Sequence, residues 1–330
     1  MKLSKLILWS TVLSLIASVA APGRSRAASS DFKVLVFSKT LLYRHTSITN
    51  GIKAIEKLGA EHHFKVDATE DSSAFTATNL AQYRAVVFLS TSGHVFNEQQ
   101  EEAFKNFIEG GGGLAGIHAA TAGDVGTEGP WQWYGDALCA KFTNHSAIVQ
   151  ATVRVEDRRN PSTAPLPERW VRTDEWYNFI TSPRGKARVL ASLDETTYHG
   201  GNMGEDHPIA WWKKVGKGRV WYTALGHTDE SFVEPLFLRH LLGGIEFAAG
   251  VRGGPGATVT PRVTSHQIRS RSSAPGARAA SYTAGAIGRR ACSVTISNWP
   301  PRGTSERNRA ARWSRVQRAV SVAGPNPNRP

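Results

Sequence analysis

Phe104-Lys105-Asn106-Phe107-Ile108-Glu109-Gly110-Gly111-Gly112-Gly113-Leu114-Ala115-Gly116-Ile117-His118-Ala119-Ala120 decides how the rest of the chain is read. Phe104, Phe107 and Ile108 recur at helical spacing, and Asn97 precedes them as a capping residue. Four glycines stop that helix, and Leu114 to Ile117 is apolar throughout, as a central strand covered on both faces must be. Gly111 to Gly116 matches G-x-G-x-x-G letter for letter. A dinucleotide site needs the order strand, glycines, helix, so that pyrophosphate meets a helix N-terminus. The order here is helix, glycines, strand, which excludes a Rossmann-type cofactor site.

Outward from this strand, short apolar runs alternate with amphipathic stretches, the pattern of a mostly parallel sheet covered by helices. Strands are expected at Phe32 to Phe37, Phe64 to Val66, Ala85 to Leu89, Ile148 to Val155, Val189 to Leu193, Ile209 to Trp212 and Val220 to Ala224. Helices are expected from Ser47 to Leu58, ending at Gly59, and from Val233 to Phe247. The economical reading is one α/β domain over residues 29–250.

The 330 residues are 40% hydrophobic, enough for a sizeable core. The net charge of +13 is unevenly placed: residues 251–330 hold 14 Arg, no Lys, no Asp and one Glu, so the rest of the chain is balanced. This Arg/Ala/Gly/Pro/Ser-rich stretch lacks apolar periodicity and is expected to be a disordered tail able to contact anionic surfaces. No specific nucleic-acid partner is expected. The abrupt switch to Arg alone is also what a frame error in the gene would produce. At the other end, Lys2 and Lys5 precede an apolar run from Leu6 to Ala20 with small residues after it. Residues 1–28 are therefore expected to be a signal peptide sending the protein out of the cytoplasm, with a membrane anchor as the alternative. No later stretch is long and apolar enough to span a bilayer. Two cysteines, Cys139 and Cys292, cannot build a disulfide framework or a four-cysteine metal site. Any metal must be held by His, Asp or Glu.

Histidines fall at telling positions. His45 follows the first expected strand, His94 the third, His118 ends the fourth, and His227 follows the last. In an open parallel sheet, ligands bind outside the carboxyl ends of the strands, so these four imidazoles are expected to converge. Imidazole serves as acid, base or metal ligand near neutral pH. His118 sits in a small-residue turn, Gly116 to Ala120, like a nucleophile elbow that presents neither Ser nor Cys. Covalent acyl transfer is thereby disfavoured. Cys139 reads as a small buried apolar residue.

Asp174 and Glu175 are adjacent carboxylates, of which one at most faces a cleft in an extended segment. Either could work as an acid–base pair with Asp206 or Asp229. His145 and His207 could complete a His/carboxylate site for a divalent metal, although no ligand-spacing motif supports one. Trp131 and Trp133 lie in a region beyond His118 where a sugar-stacking platform would belong, whereas Trp211 and Trp221 are expected in the core.

One family shares these features in order. Val34 to Ser38 with Tyr43-Arg44-His45, Phe96-Asn97, Gly113 to His118, Trp133-Tyr134, Asp174-Glu175-Trp176-Tyr177, Tyr198 to Gly204 and Trp221 to His227 resemble the trehalose-utilisation (ThuA-like) domain. The resemblance runs from about Phe32 to Gly250. It implies a flavodoxin-like, class I glutamine amidotransferase-like three-layer sandwich, with His118 where those enzymes carry their cysteine. It also implies work on a small saccharide, a disaccharide such as trehalose or its 3-keto derivative. Carried over by position, His45, His118, Glu175 and His227 are the expected pocket residues and are read as catalytic; Trp131, Trp133, Tyr177, His94 and Asp174 are, beside them, the expected substrate contacts. Ser146 departs from the family's usual Pro, and Lys213-Lys214 from its usual polar or His residues. The expectation is hydrolysis or isomerisation by acid–base chemistry; the alternatives are a non-catalytic carbohydrate-binding protein and an interaction protein working through the basic tail.

Overall fold

A computed structural model describes residues 31–122 and 131–253; the expected signal peptide and nearly all of the basic tail lie outside the described residues. The chain runs β1 (Phe32–Phe37), α1 (Ile48–His62), β2 (Phe64–Thr69), α2 (Ala77–Leu80), β3 (Ala85–Leu89), α3 (Glu98–Gly110) and β4 (Gly113–Ile117). It continues α4 (Gln132–Leu138), β5 (Phe142–Val155), β6 (Arg169–Phe179), β7 (Arg188–Asp194), β8 (His207–Val215), β9 (Gly218–Thr223) and α5 (Pro235–Ala248).

All of these strands share one sheet in the order β2-β1-β3-β4-β9-β8-β7-β5-β6. From β2 to β9 each pairing is parallel, and from β9 to β6 each is antiparallel. The expectation of a mostly parallel sheet is therefore corrected to a mixed one. A strand buried on both faces is a continuous apolar run whichever way it points, so β7, β8 and β9 gave no directional signal. The signal lay in the turn: Gly216 and Lys217 alone separate β8 from β9, a two-residue hairpin in which Gly216 takes φ +56°.

The decisive stretch folds as read. Asn97 and Gln100 form a reciprocal capping box at the start of α3, and Gly111, at φ +127°, ends it. Gly113 serves close approach instead: a Cβ there would lie 2.1 Å from the carbonyl oxygen of Ala248, so β4 and the end of α5 can touch only through glycine. In β3, Phe88 stacks on Phe104 of α3 while its neighbour Leu89 lies over Gly51 of α1, so these helices cover opposite faces. Phe37, Phe75, Phe88, Phe96 and Phe104 interlock on the α3 side. Trp211 and Trp221 are core residues, as expected. Helix α1 runs past Gly59 to His62 and closes on left-handed His63; Gly59 is needed for packing, since a Cβ would lie 2.6 Å from the Phe64 carbonyl oxygen.

β6 was not foreseen as a strand. Its buried face carries Arg172 and Asp174, which breaks the alternation of apolar and polar residues by which half-buried strands are recognised. The pairing of β5 with β6 runs from Phe142/Phe179 to Arg154/Arg169, whereas β7 reaches only residues 152–155 of β5. The Phe142 end of this ribbon therefore extends beyond the rest of the sheet. A register shift between His145 and Ile148 bends it, and Ser146 Oγ accepts the N–H of Trp176 inside the bend.

Candidate functional site

Three strand ends and the projecting ribbon meet at one place. His45 follows β1, His118 follows β4, and His227 follows β9, each at a carboxyl end, while Glu175 comes from β6. His118 is fully buried and takes φ +51°, the left-handed conformation of a sharp strand-to-helix turn. Its Nδ1 is 2.8 Å from the carbonyl oxygen of Ala224. A carbonyl can only accept, so Nδ1 carries the proton and Nε2 presents a bare lone pair. That Nε2 lies 3.1 Å from His45 Nε2, 3.2 Å from His227 Nδ1 and 3.5 Å from Glu175 Oε2. Glu175 Oε2 is also 3.1 Å from His227 Nδ1, and its Oε1 is 3.0 Å from His145 Nδ1.

Electrostatics follow from this geometry. Burial, reinforced by His118 and His227, lowers the His45 pKa to about 2, so His45 is neutral at any ordinary pH. Burial alone would raise the Glu175 pKa, but the surrounding rings of His118, His145 and His227 outweigh it and hold the group well below the usual carboxylate range. Burial likewise opposes protonation of His145, yet Glu175 and the Ser146 carbonyl raise its pKa on balance. One anionic carboxylate thus gathers three imidazoles. Such a cluster can move protons, bind a cation, or polarise a substrate oxygen.

Walls and supports are equally specific. The Tyr177 ring packs on His118 with centroids 4.1 Å apart, and burial pushes its phenol well above the ordinary value. Tyr43, half exposed, stands edge-on to His45 at 4.8 Å. Asp174 points away from the cluster and is fully buried. Its carboxylate accepts the backbone N–H groups of Gly226 and His227 at 2.9 and 3.1 Å and meets Arg172 at 3.1 Å. It is placed to hold the His227 turn rather than to touch a substrate.

The structure brings together His45, His118, His227, Glu175 and Tyr177 from the expected set. It does not bring in His94, which is partly exposed beside Glu101 at 3.6 Å. Trp131 stacks on Tyr134 and packs against Phe96 and Phe104, while Trp133 donates to Glu109. Asp206 pairs with Arg184 and Asp229 accepts from Asn50, so neither opposes Asp174 or Glu175. Cys139 is buried just after α4, where burial raises its thiol pKa. The β5 bend aims His145, a candidate from the sequence, at Glu175, whereas Tyr43 gains its place from geometry alone, since the segment after β1 sets it against His45.

A family model described as trehalose utilisation (ThuA) matches residues 33–248. The chain belongs to the ThuA family. This membership supports a carbohydrate-related role. The chain is similar to a ThuA-like protein from Bacteroides uniformis, with 27% identity, a TM-score of 0.58, and coverage of 66% of this chain and 91% of that one. A ThuA-like protein from Parabacteroides merdae shares the fold at 20% identity and a TM-score of 0.55, over 66% of this chain and 90% of that one. No curated protein matches the chain.

Proposed function

We propose that this ThuA-family chain is an exported enzyme acting on a small saccharide, a disaccharide or 3-keto-glycoside connected with trehalose utilisation, by hydrolysis or isomerisation. The observation that carries the reading is the Glu175 carboxylate lying within 3.5 Å of His118, His145 and His227 at once, beside buried His45. A buried carboxylate with convergent imidazoles is the equipment for proton transfer to and from sugar oxygens and the carbon acids beside a ketone. Glu175 keeps negative charge at the centre, His227 and His118 face the reacting oxygen, and His45 fills the remaining side. The elbow presents imidazole, which rules out a covalent serine or thiol step at that position.

The order β2-β1-β3-β4-β9 of the parallel half supports a flavodoxin-like, amidotransferase-like ancestry for the site. Export rests on Lys2, Lys5 and the apolar run to Ala20. The test is turnover of a panel of disaccharides and their 3-keto forms by the native chain, His118→Ala and Glu175→Gln. Product from the native chain alone supports the reading. Saccharide binding without product after long incubation would replace it with a non-catalytic carbohydrate-binding role.

A further inference from the structure

We propose that His45, His118, His227 and Glu175 form a binding centre for one divalent transition-metal ion of the zinc class. The proposal takes the same cluster as the reacting centre, and in that respect rests on the reading above. The ligand atoms of these four side chains all lie within 4.8 Å of one another.

Lone-pair direction is the first argument. The Ala224 carbonyl fixes the His118 tautomer, so a single Nε2 lone pair is approached by two ring nitrogens and a carboxylate oxygen within 3.5 Å. One hydrogen bond can satisfy that lone pair in its plane, whereas a cation among the four atoms gives every one of them a partner.

Spacing is the second. Zinc–nitrogen and zinc–oxygen bonds of roughly 2.0 to 2.1 Å at tetrahedral angles put neighbouring ligand atoms about 3.3 Å apart. The separations His118–His45, His118–His227, Glu175–His227 and Glu175–His118 are 3.1, 3.2, 3.1 and 3.5 Å. Four of the six separations among these atoms thus match a tetrahedral shell, and the remaining two, both to His45, lie within 4.8 Å.

Composition and support are the third. Three imidazoles and one carboxylate suit a borderline ion such as zinc, and not calcium or magnesium, which take oxygen ligands. The outer contacts have the form that metal ligands use: His118 donates its other nitrogen to a backbone carbonyl, and the second oxygen of Glu175 is held by His145. A second buried His–carboxylate group is built differently. His207 spends Nδ1 on Glu195 at 2.7 Å and Nε2 on the Tyr177 carbonyl at 2.8 Å, leaving no lone pair for an ion.

When bound, such an ion supplies Lewis acidity toward a saccharide carbonyl or hydroxyl oxygen. The chain's own contribution is to fix the donor set, to hold Glu175 through His145, and to wall the centre with Tyr177.

The test is equilibrium titration of chelator-stripped full-length chain with Co2+ and then Zn2+, followed by visible absorption and elemental analysis. The expected result is one Co2+ per chain, with ligand-field bands of four- or five-coordinate intensity that Zn2+ abolishes. Glu175→Gln and His227→Asn should each weaken binding by about a hundredfold or more, while exposed His63→Asn leaves it unchanged. Circular dichroism identifies any variant that fails to fold, and the isosteric Glu175→Gln change then decides. Absence of Co2+ at stoichiometric concentration, or binding that survives these substitutions, overturns the proposal. Saccharide turnover by a chain that takes up no Co2+ or Zn2+ overturns it while leaving the enzymatic reading intact. A bound ion with no turnover of any saccharide does the reverse.

Discussion

Asp174 accepts the main-chain N–H of His227 at 3.1 Å, while the next residue in the strand, Glu175, meets the ring of the same histidine at 3.1 Å. Successive residues of a strand point to opposite faces, so one dipeptide of β6 fixes both the backbone and the side chain of His227. Asp174 also neutralises Arg172, which is itself buried against Trp170 and Phe237. Asp174→Asn should lower unfolding free energy by about 2–4 kcal/mol, because it leaves a buried guanidinium short of its partner. Denaturant titration measures this; a loss below about 0.5 kcal/mol would mean that Glu234, 3.3 Å from Arg172, already suffices.

His118→Ala should cost stability as well as activity. The ring is fully buried, and the Ala224 carbonyl would lose its donor. A loss of about 1–3 kcal/mol is expected, with a lower melting temperature, so activity must be compared on protein shown to be folded. An unchanged melting temperature would show that the ring contributes nothing to the fold.

Two glycines in the decisive stretch should respond oppositely. Gly113→Ala forces a Cβ onto the Ala248 carbonyl and should destabilise the chain by about 2–3 kcal/mol or more, because backbone cannot step aside. Gly110→Ala meets nothing within 4 Å at the end of α3 and should be neutral or stabilising by up to about 1 kcal/mol. Thermal melts of the two variants side by side check both signs.

His240 gives a pH dependence remote from the cluster. It is buried between the Ser162 carbonyl and the Thr223 hydroxyl, and burial lowers its pKa from 6.5 to about 4. The unfolded chain therefore takes up a proton that the folded chain refuses. Stability from this group is full above pH 6.5 and is lost as pH falls toward 4, by about 3 kcal/mol in all. His240→Gln should flatten that part of the curve; an unaltered slope would assign the acid sensitivity elsewhere.

Tyr43 offers a half-exposed ring beside His45. Tyr43→Ala should raise KM for the saccharide several-fold with little change in kcat, and Tyr43→Phe should restore most of it, since ring stacking needs the face rather than the hydroxyl. Equal loss in both variants would point to the phenol oxygen instead.

The local elements were legible in the sequence because their causes are local. β1 and β3 begin and end where their apolar runs do, and the α3 cap is written in Asn97. The sequence places His45, His118 and His227 at carboxyl ends, and the family resemblance selects Glu175 over Asp174. What escaped depended on distant partners. The charges of β6 are buried because Asp174 and Arg172 find each other and the His227 turn, a cause outside the strand. His145, which the sequence offers as a possible completion of a His/carboxylate site, reaches Glu175 only through a bend in β5, and His94 stays out because the segment after β3 sets it beside Glu101. Trp131 and Trp133 follow α3 rather than the histidines, since Phe104 provides them with an apolar neighbour.

The four candidate ligands come from segments as far apart as β1 and the edge strand β6. None of them can meet until the parallel half and the antiparallel ribbon have both formed, so this is a late product of folding, closed across very long loops. It would act as a clasp on the finished sheet. Any occupant that prefers the native state must be surrendered before the chain can open, and resistance to heat and proteolysis would then rise with that occupant's concentration.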